Sequence, residues 1–427
     1  MRTSRLPQFQ PLEGGLRTDV LIVGGGMTGL LCAWLLRREG VDCAVVEAGR
    51  IGGGTTGHTT AKITSQHGLL YHRLLRTFGS ETARLYWQTQ EAALARYRAL
   101  CQKIDCHFQE RDNYVYSLDD PAELDKELEA LERIGAPARL VRELPLPFST
   151  AGAVCFPNQG QFHPLQFLST LAKDLPVYEH TRALAWSPGR VLTEHGTVRT
   201  EKTIIATHFP MVTNHGAYFL KLYQHRSYVL ALENAPDVGG MYADASKTGL
   251  SFRNWDNLLL LGGGGHRTGK KGGGWQVLEG AVRRYYPQAA EVARWAAQDC
   301  MSLDGVPYVG VYSRRTPGLY ISSGFNKWGM TGAMAAAELL TDLALNRDSP
   351  CRRLFDPSRT ILRAQLAVNG AEAVISLLTP TVPRCPHMGC ALHYNAQEHS
   401  WDCPCHGSRF TEAGRVLDGP SNEDKPM

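Results

Sequence analysis

Two rhythms of apolar and polar residues run through this chain and divide it. Residues 19–23, Asp-Val-Leu-Ile-Val, form a short apolar run, the mark of a strand buried on both faces in a parallel sheet. A glycine-rich turn follows. Residues 30–39 then carry apolar positions at helical spacing and stop at Gly40. Residues 43–47 read as the next strand, residues 203–207 as a later one, and residues 332–345 as an apolar helix. The stretches between have another character. Residues 81–101 show helical spacing with polar faces, and residues 121–134 a charged, solvated helix. Residues 108–118 alternate with the period of a half-buried strand, and strand-like runs return at 227–232, 249–253 and 258–261. The pattern predicts an α/β fold with an α+β second layer: a strand–helix–strand core, and a mixed sheet split across the sequence.

The turn after the first strand is Gly24-Gly25-Gly26-Met27-Thr28-Gly29, which sets glycines at G-x-G-x-x-G. The first permits a tight turn, the second lets the backbone approach a pyrophosphate, and the third lets helix and strand pack closely. The helix N-terminus then presents free N–H groups to phosphate. Glu47 closes the unit about twenty residues on, where a carboxylate accepts from ribose hydroxyls. Strand, glycines, helix, strand and acid in register predict a dinucleotide site. Beyond Glu47, the run Ala48, Arg50, Thr55, Thr56, His58, Thr59, Thr60 and Ala61 is small and hydroxyl-rich, suited to a backbone lying along an extended cofactor.

Near the C-terminus, Cys385-Pro386-His387 and Cys403-Pro404-Cys405-His406 stand roughly fifteen residues apart. One Cys and one His from each stretch, Cys385, His387, Cys403 and His406, make the ligand set of a Rieske [2Fe–2S] centre, with two thiolates on one iron and two imidazoles on the other. The alternative is a structural zinc site, since such Cys/His sets also bind Zn tetrahedrally.

These motifs carry two resemblances. Residues 18–345 resemble the D-amino-acid oxidase (DAO) superfamily of FAD-dependent oxidoreductases, with glycine, sarcosine and γ-glutamylputrescine oxidases among its members. The resemblance implies a Rossmann-like FAD-binding domain with an interleaved mixed-sheet substrate domain. It implies that residues 50–61 lie on the pyrophosphate and reach toward the flavin, that Ala183 also binds the cofactor, and that Ala206 and Thr207 stand near the adenine side. His208 replaces the usual glycine there. It also implies a last flavin element at Asp304, Gly324, Asn326, Lys327, Gly329, Met330 and Thr331, with Trp328 as a pocket wall. Thr331 stands where sarcosine oxidases hold a substrate carboxylate with a basic residue. Arg226, Tyr228, Arg253 and Arg267 are candidates to face the substrate; the plain alternative is that each is a structural or surface group. His58 matches a histidine that carries flavin covalently in one branch of the family. The other reading is a histidine that only hydrogen-bonds near the cofactor.

Residues 385–427 are similar to the cluster-binding part of Rieske proteins. The resemblance implies a Cys390–Cys405 disulfide between the cluster loops, a Ser408 hydroxyl donated to a cluster sulfide, and, with Phe410 where high-potential members have tyrosine, a lowered potential. Residues 348–384 are expected to be a linker or a truncated base of that domain. Expected domains are then an N-terminal extension at 1–17, an FAD-binding domain at 18–80, 150–215 and 300–347, a substrate domain at 81–149 and 216–299, and a small C-terminal Rieske-type β segment.

Composition narrows the picture. At 427 residues with 43% hydrophobic and 20% charged residues, the chain is a globular protein of two or three domains. A net charge of +4 argues for neither nucleic acid nor a membrane surface as partner. No run approaches the roughly twenty apolar residues of a membrane span. Eleven cysteines, seven of them scattered singly before the cluster loops, and no signal-peptide pattern suit the cytoplasm. Residues 264–270 fit G-x-x-x-x-G-K, but Lys271 and further glycines follow where a hydroxyl and a helix belong, so a wide turn near the substrate pocket is expected rather than a P-loop. The expected activity is oxidation of an amine or amino-acid C–N bond at FAD, with electrons passed singly to the cluster and on to an acceptor. The alternatives are an NAD(P)H-linked reductase, for which no second dinucleotide unit is found, and a non-catalytic electron carrier or redox sensor.

Overall fold

The computed structural model describes residues 5–246, 249–380 and 383–425, and these build three sheets. The first has eight strands. Leu319–Ser323, Gly196–Ile205, Leu16–Val23, Cys43–Val46 and Val177–Tyr178 run parallel, in that order, with Tyr308–Val311 antiparallel on one edge. The expected strand at 19–23 is the inner end of Leu16–Val23, and its last four residues are buried. Helices Met27–Arg38 and Gly329–Ala344 pack on each other and share a core with Ile22, Val45 and Ile204.

The second sheet has nine strands. Its order is Ala290–Ser302, Leu222–Glu233, Leu258–Arg267, Ser251–Trp255, Met241–Asp244, Gln109–Ser117, Gly152–Gln161 and Lys62–Ile63, with Arg139–Val141 beside Gly152–Gln161. Helices Ser80–Cys101 and Pro121–Ile134 lie where the periodicity put them. The latter begins on an Asp120 side chain that accepts from Glu123 N–H and ends at Gly135 in the left-handed region. The third sheet is an antiparallel meander of His393–Asn395, Ser400–Asp402, Arg409–Thr411 and Val416–Asp418.

Three expectations need correction. Gly152–Gln161, assigned above with the cofactor domain, pairs in the nine-stranded sheet; strand pattern does not tell which sheet receives a strand. Residues 348–384 are no bare linker, because Ala364–Leu378 is a helix whose Asn369 and Ser376 are buried against the rest of the chain. Its large apolar residues Val368, Val374, Ile375, Leu377 and Leu378 are exposed while the buried positions are polar, so the apolar pattern does not mark the face that packs inward. The glycine-rich run after Leu258 is split in use. Gly262, Gly263 and Gly265 line the larger cavity described below, while Gly269 turns under the C-terminal sheet. No helix among the described residues is long and apolar enough to cross a membrane.

Candidate flavin and cluster sites

The glycine turn is built by contacts no other residue tolerates. A Cβ on Gly29 would sit 1.9 Å from the Gly24 carbonyl oxygen, and one on Gly24, at φ +113°, would sit 2.5 Å from that of Ala206. Helix and strand therefore approach to backbone contact. Glu47 holds the turn as well as facing the cavity: one carboxylate oxygen accepts from Gly25 N–H (2.7 Å) and the other from Gly49 N–H (2.8 Å). Thr56 Oγ1 accepts from Met27 N–H (3.1 Å), tying the hydroxyl-rich loop to the helix start.

Around these groups lies a cavity of about 510 Å3. Gly24, Gly26, Met27, Thr28, Glu47, Ala48, Arg50, Thr55, Thr56 and Thr59 line it, with Ala183, Ala206 and Thr207. It adjoins a larger cavity of about 930 Å3, with Thr55, Thr59, Lys327, Gly329 and Met330 lining both. The larger one is walled by Thr60, Lys62, His67, Tyr228, Asp304, Asn326 and Trp328. A cradle of close-packed glycine backbone opening into a mixed apolar and polar chamber fits an FAD, with room for a small substrate beside its ring.

Several expected residues are also held by groups of the protein itself. Arg50 Nε pairs with Glu179 at 2.9 Å, although Arg50 also borders the smaller cavity. Asp304 forms a two-point pair with Arg359 (2.8 and 2.9 Å); burial opposes ionisation, yet the guanidinium holds its carboxyl below the usual range. Asn326, at φ +52°, locks the last flavin loop by accepting from Ser302 N–H (2.9 Å). Thr331 is buried and lines neither cavity. Its hydroxyl lies 2.9 Å from Thr64 O and 3.0 Å from His67 Nε2. Gly324 lines neither cavity either. His58 lies in a short 3₁₀ turn, Thr55–His58, and its Nδ1 meets Gly54 O at 2.8 Å.

His67 was missed in the sequence, although it ends the hydroxyl-rich run. Its ring stacks on Trp328 at 5.5 Å and 8°, and Tyr86 Oη lies 2.7 Å from Nδ1. Burial pushes its pKa down to about 3, so it stays neutral and fixes Trp328 against the chamber wall.

The four substrate candidates separate. Tyr228 lines the larger cavity, with its Oη 2.9 Å from His266. Arg226 is turned away from it and paired with Glu398 of the C-terminal sheet. Arg267 also leaves the pocket, donating to Pro404 O (2.8 Å) and to Asn369 Oδ1 (3.0 Å). Arg253 is fully buried and donates to Ala61 O at 3.1 Å. Arg226 and Tyr228 stand two apart on Leu222–Glu233 and both reach Glu398, with a bulge in the pairing to Leu258–Arg267 between them.

At the C-terminal sheet, Cys385, Cys390, Cys403 and Cys405 form one buried core with Leu392 and Phe410, and all four are free thiols. The thiols of Cys390, Cys403 and Cys405 lie within 4.8 Å of one another. The imidazoles of His387 and His406 stand beside them, ring centroids 4.9 Å apart. Both ring nitrogens of His387 and Nδ1 of His406 are buried without a partner. Burial lowers the pKa of both histidines, His387 to about 4, which keeps them in the neutral form that binds metal. Orphaned imidazole nitrogens opposite clustered thiols are the donor set of a group held by two Cys and two His, so the residues fit a Rieske cluster.

This unit is docked on the rest of the chain by close packing. A Cβ on Gly269 would lie 2.6 Å from Pro404 N, and one on Gly407 2.2 Å from Gln224 Cγ. Gln298 joins the two cofactor regions: its amide donates to Gly407 O (2.9 Å) and Asp418 (3.1 Å), and its backbone carbonyl accepts from Thr55 Oγ1 (2.9 Å). Phe209 stands 5.9 Å from the His406 ring and 6.2 Å from that of His387, and also lines the smaller cavity. Val416, Asp418, Pro420 and Ser421 close that same cavity from the C-terminal side. Neither Gln298 nor Phe209 carries a sequence signal, for each acts through the fold alone.

Comparison with known proteins agrees with this geometry. The family model for FAD dependent oxidoreductases (DAO) matches residues 19–343, and that for the Rieske [2Fe-2S] domain matches residues 372–426. The Bacillus subtilis protein YhfW, named for a Rieske 2Fe-2S iron-sulfur centre, is 31% identical over 97% of this chain and 94% of its own length. Gamma-glutamylputrescine oxidoreductase of Escherichia coli is 28% identical over 46% of this chain and half (50%) of its own. In fold, the chain is similar to glycine oxidase from Geobacillus kaustophilus, with a TM-score of 0.69 at 22% identity over 81% of this chain and 100% of that one.

Proposed function

The chain belongs to the DAO family of FAD-dependent oxidoreductases and ends in a Rieske domain, and from that premise we propose that it oxidises a C–N bond of an amine or amino acid and delivers the electrons singly to its own cluster. When bound, FAD accepts the electron pair from substrate and the [2Fe–2S] centre takes up electrons one at a time.

One observation carries the reading. The cavity cradled by the dinucleotide turn is closed by residues of the Rieske segment, and Phe209 borders that cavity while standing against both ligand imidazoles. The chain's own residues do three things for the reaction. The glycine turn and Thr55–Thr59 hold the cofactor. His67 and Trp328 wall the substrate chamber. Gln298, Gly269 and Arg226 hold the cluster loops against the cofactor cavity, so electrons need not leave the molecule between the two centres.

The test is anaerobic mixing of the iron-replete holoprotein with a panel of amines and amino acids. The expected result is flavin bleaching by a member of the panel, followed by the EPR signal of a reduced Rieske cluster. Bleaching with an EPR-silent cluster removes the internal transfer. Bleaching by NADH alone replaces C–N oxidation with a reductase.

A further inference from the structure

We propose that the exposed apolar face of helix Ala364–Leu378 is where two copies of this chain meet, the two helices packing antiparallel about a twofold axis near Ala371. This assembly is independent of the C–N oxidation reading above.

The helix has two distinct faces. Asn369 and Ser376, seven positions apart, are buried against the chain. Asn369 Nδ2 donates to Leu220 O (3.2 Å), its Oδ1 accepts from Arg267 (3.0 Å), and Ser376 O accepts from Ala391 N–H (3.3 Å). Ala364, Ala367, Ala371, Val374, Ile375 and Leu378, spaced by three and four, fall on the opposite side and are all exposed. Leu378 is 77% exposed, and Leu362, just ahead of the helix, 80%. Together this stripe and Leu362 leave roughly 700 Å2 open to solvent, more than the apolar patch a monomer commonly shows. Two such faces bury roughly 1,400 Å2 when they meet, within the range of a stable pair.

Charge argues against other occupants. No residue of the stripe is charged. Glu372, the one charged residue of the helix, turns aside to Lys270 at 2.6 Å. Arg363, just before the helix, lies over the Phe78 ring, and Arg384 donates to the last helical carbonyls at Ser376 (3.1 Å) and Leu377 (3.2 Å). A helix that lies on a lipid surface carries Lys and Arg along its polar face, and this helix has neither. A charged partner would find nothing on the stripe to pair with. A second copy brings an equally uncharged face.

Side-chain size sets the direction. The N-terminal half of the stripe exposes alanines, at 364, 367 and 371, and the C-terminal half exposes Val374, Ile375 and Leu378. Parallel copies would set large against large and leave a gap between the alanines. Antiparallel copies lay the branched side chains of each into the shallow half of the other, which close packing requires. Leu378 then stands beside the partner's Ala364, and every contact occurs twice across the axis.

The test is sedimentation velocity of the full-length protein, loaded with iron and FAD, from about 1 to about 100 μM. The expected species has twice the chain mass. Leu378→Glu should weaken association at least about tenfold, since a carboxylate is then buried without a partner. Adding Ala364→Lys to that variant should recover the dimer, because the twofold sets each introduced lysine beside the partner's introduced glutamate. Both positions are exposed, and an unchanged visible spectrum checks that the fold and cofactors are intact. A monomer at every concentration overturns the proposal, and so does a dimer that Leu378→Glu leaves as tight as before. Loss of the dimer without recovery in the double variant overturns the antiparallel arrangement. A monomer that co-sediments with vesicles of phosphatidylcholine and phosphatidylglycerol gives the face to lipid instead.

Discussion

At the scale of single residues, function here is decided by atoms that have no room to change. Gly29 is the clearest case, because the neighbouring carbonyl occupies the place of any Cβ. Gly29→Ala must push helix from strand, an overpacking cost of about 1–3 kcal/mol. The expected outcome is a folded protein that binds FAD roughly ten to a hundred times more weakly, since the displaced helix start is the phosphate site. Fluorescence titration of apoprotein with FAD reads this, and unchanged affinity would show that the turn does not hold the pyrophosphate. His67 acts differently. It lines the chamber and stacks on Trp328, so His67→Ala should loosen the wall without altering cluster or flavin content. A rise in KM with little change in kcat, once a substrate is known, is the signature expected of lost positioning.

At the scale of elements, the decisive object is the dock between the C-terminal meander and the nine-stranded sheet. It joins backbone to backbone at Gly269 and charge to charge at Arg226 and Glu398, both largely buried. Arg409 also pairs with Glu398 at 3.1 Å, so removing Arg226 weakens the dock without stranding the carboxylate and costs less than the about 3–5 kcal/mol of a buried charge left alone. Arg226→Met should therefore keep iron, flavin and substrate-driven bleaching but slow cluster reduction. Double-mixing stopped flow with freeze-quench EPR measures that split, and equal cluster reduction rates in variant and wild type would show that the dock does not control transfer. Gly269→Val should act in the same direction by steric means, because its side chain meets Pro404 and Cys403 backbone. Agreement between a charge variant and a steric one would place the effect in the interface rather than in either residue.

At the scale of the whole molecule, the same dock makes cofactor retention sensitive to acid. Desolvation opposes the Glu398 charge, but Arg226 and Arg409 outweigh it and hold its pKa below the ordinary carboxylate range. A lowered carboxylate pKa contributes stability that is complete above the unfolded value and is lost as pH falls through the folded one. Docking should thus be unchanged between neutrality and about pH 5, then fail below about pH 4. Because Val416–Ser421 close the cofactor cavity, undocking should expose it, and a rise in flavin fluorescence should accompany release. Release already near pH 6 would point to histidines instead. Much of this protein was legible in one dimension. The glycine spacing, the acid at Glu47, the hydroxyl-rich loop and the paired Cys/His motifs are local patterns, because a phosphate cradle and a metal loop are each built from residues a few positions apart. Periodicity likewise located helices Pro121–Ile134 and Ser80–Cys101. What sequence could not determine is where distant strands meet. Arg226 and Arg267 looked like substrate ligands but bond the C-terminal sheet and its loops, while Arg253 meets Ala61 from a position far along the chain. Side-chain direction on a strand and the neighbour across a sheet are set by register, and register is a property of the folded chain. Sequence alone therefore determined which cofactors the protein is built for. Only the tertiary structure decided that the two sites share a wall, since that depends on which surface of the large sheet the last forty-odd residues of the chain come to rest on.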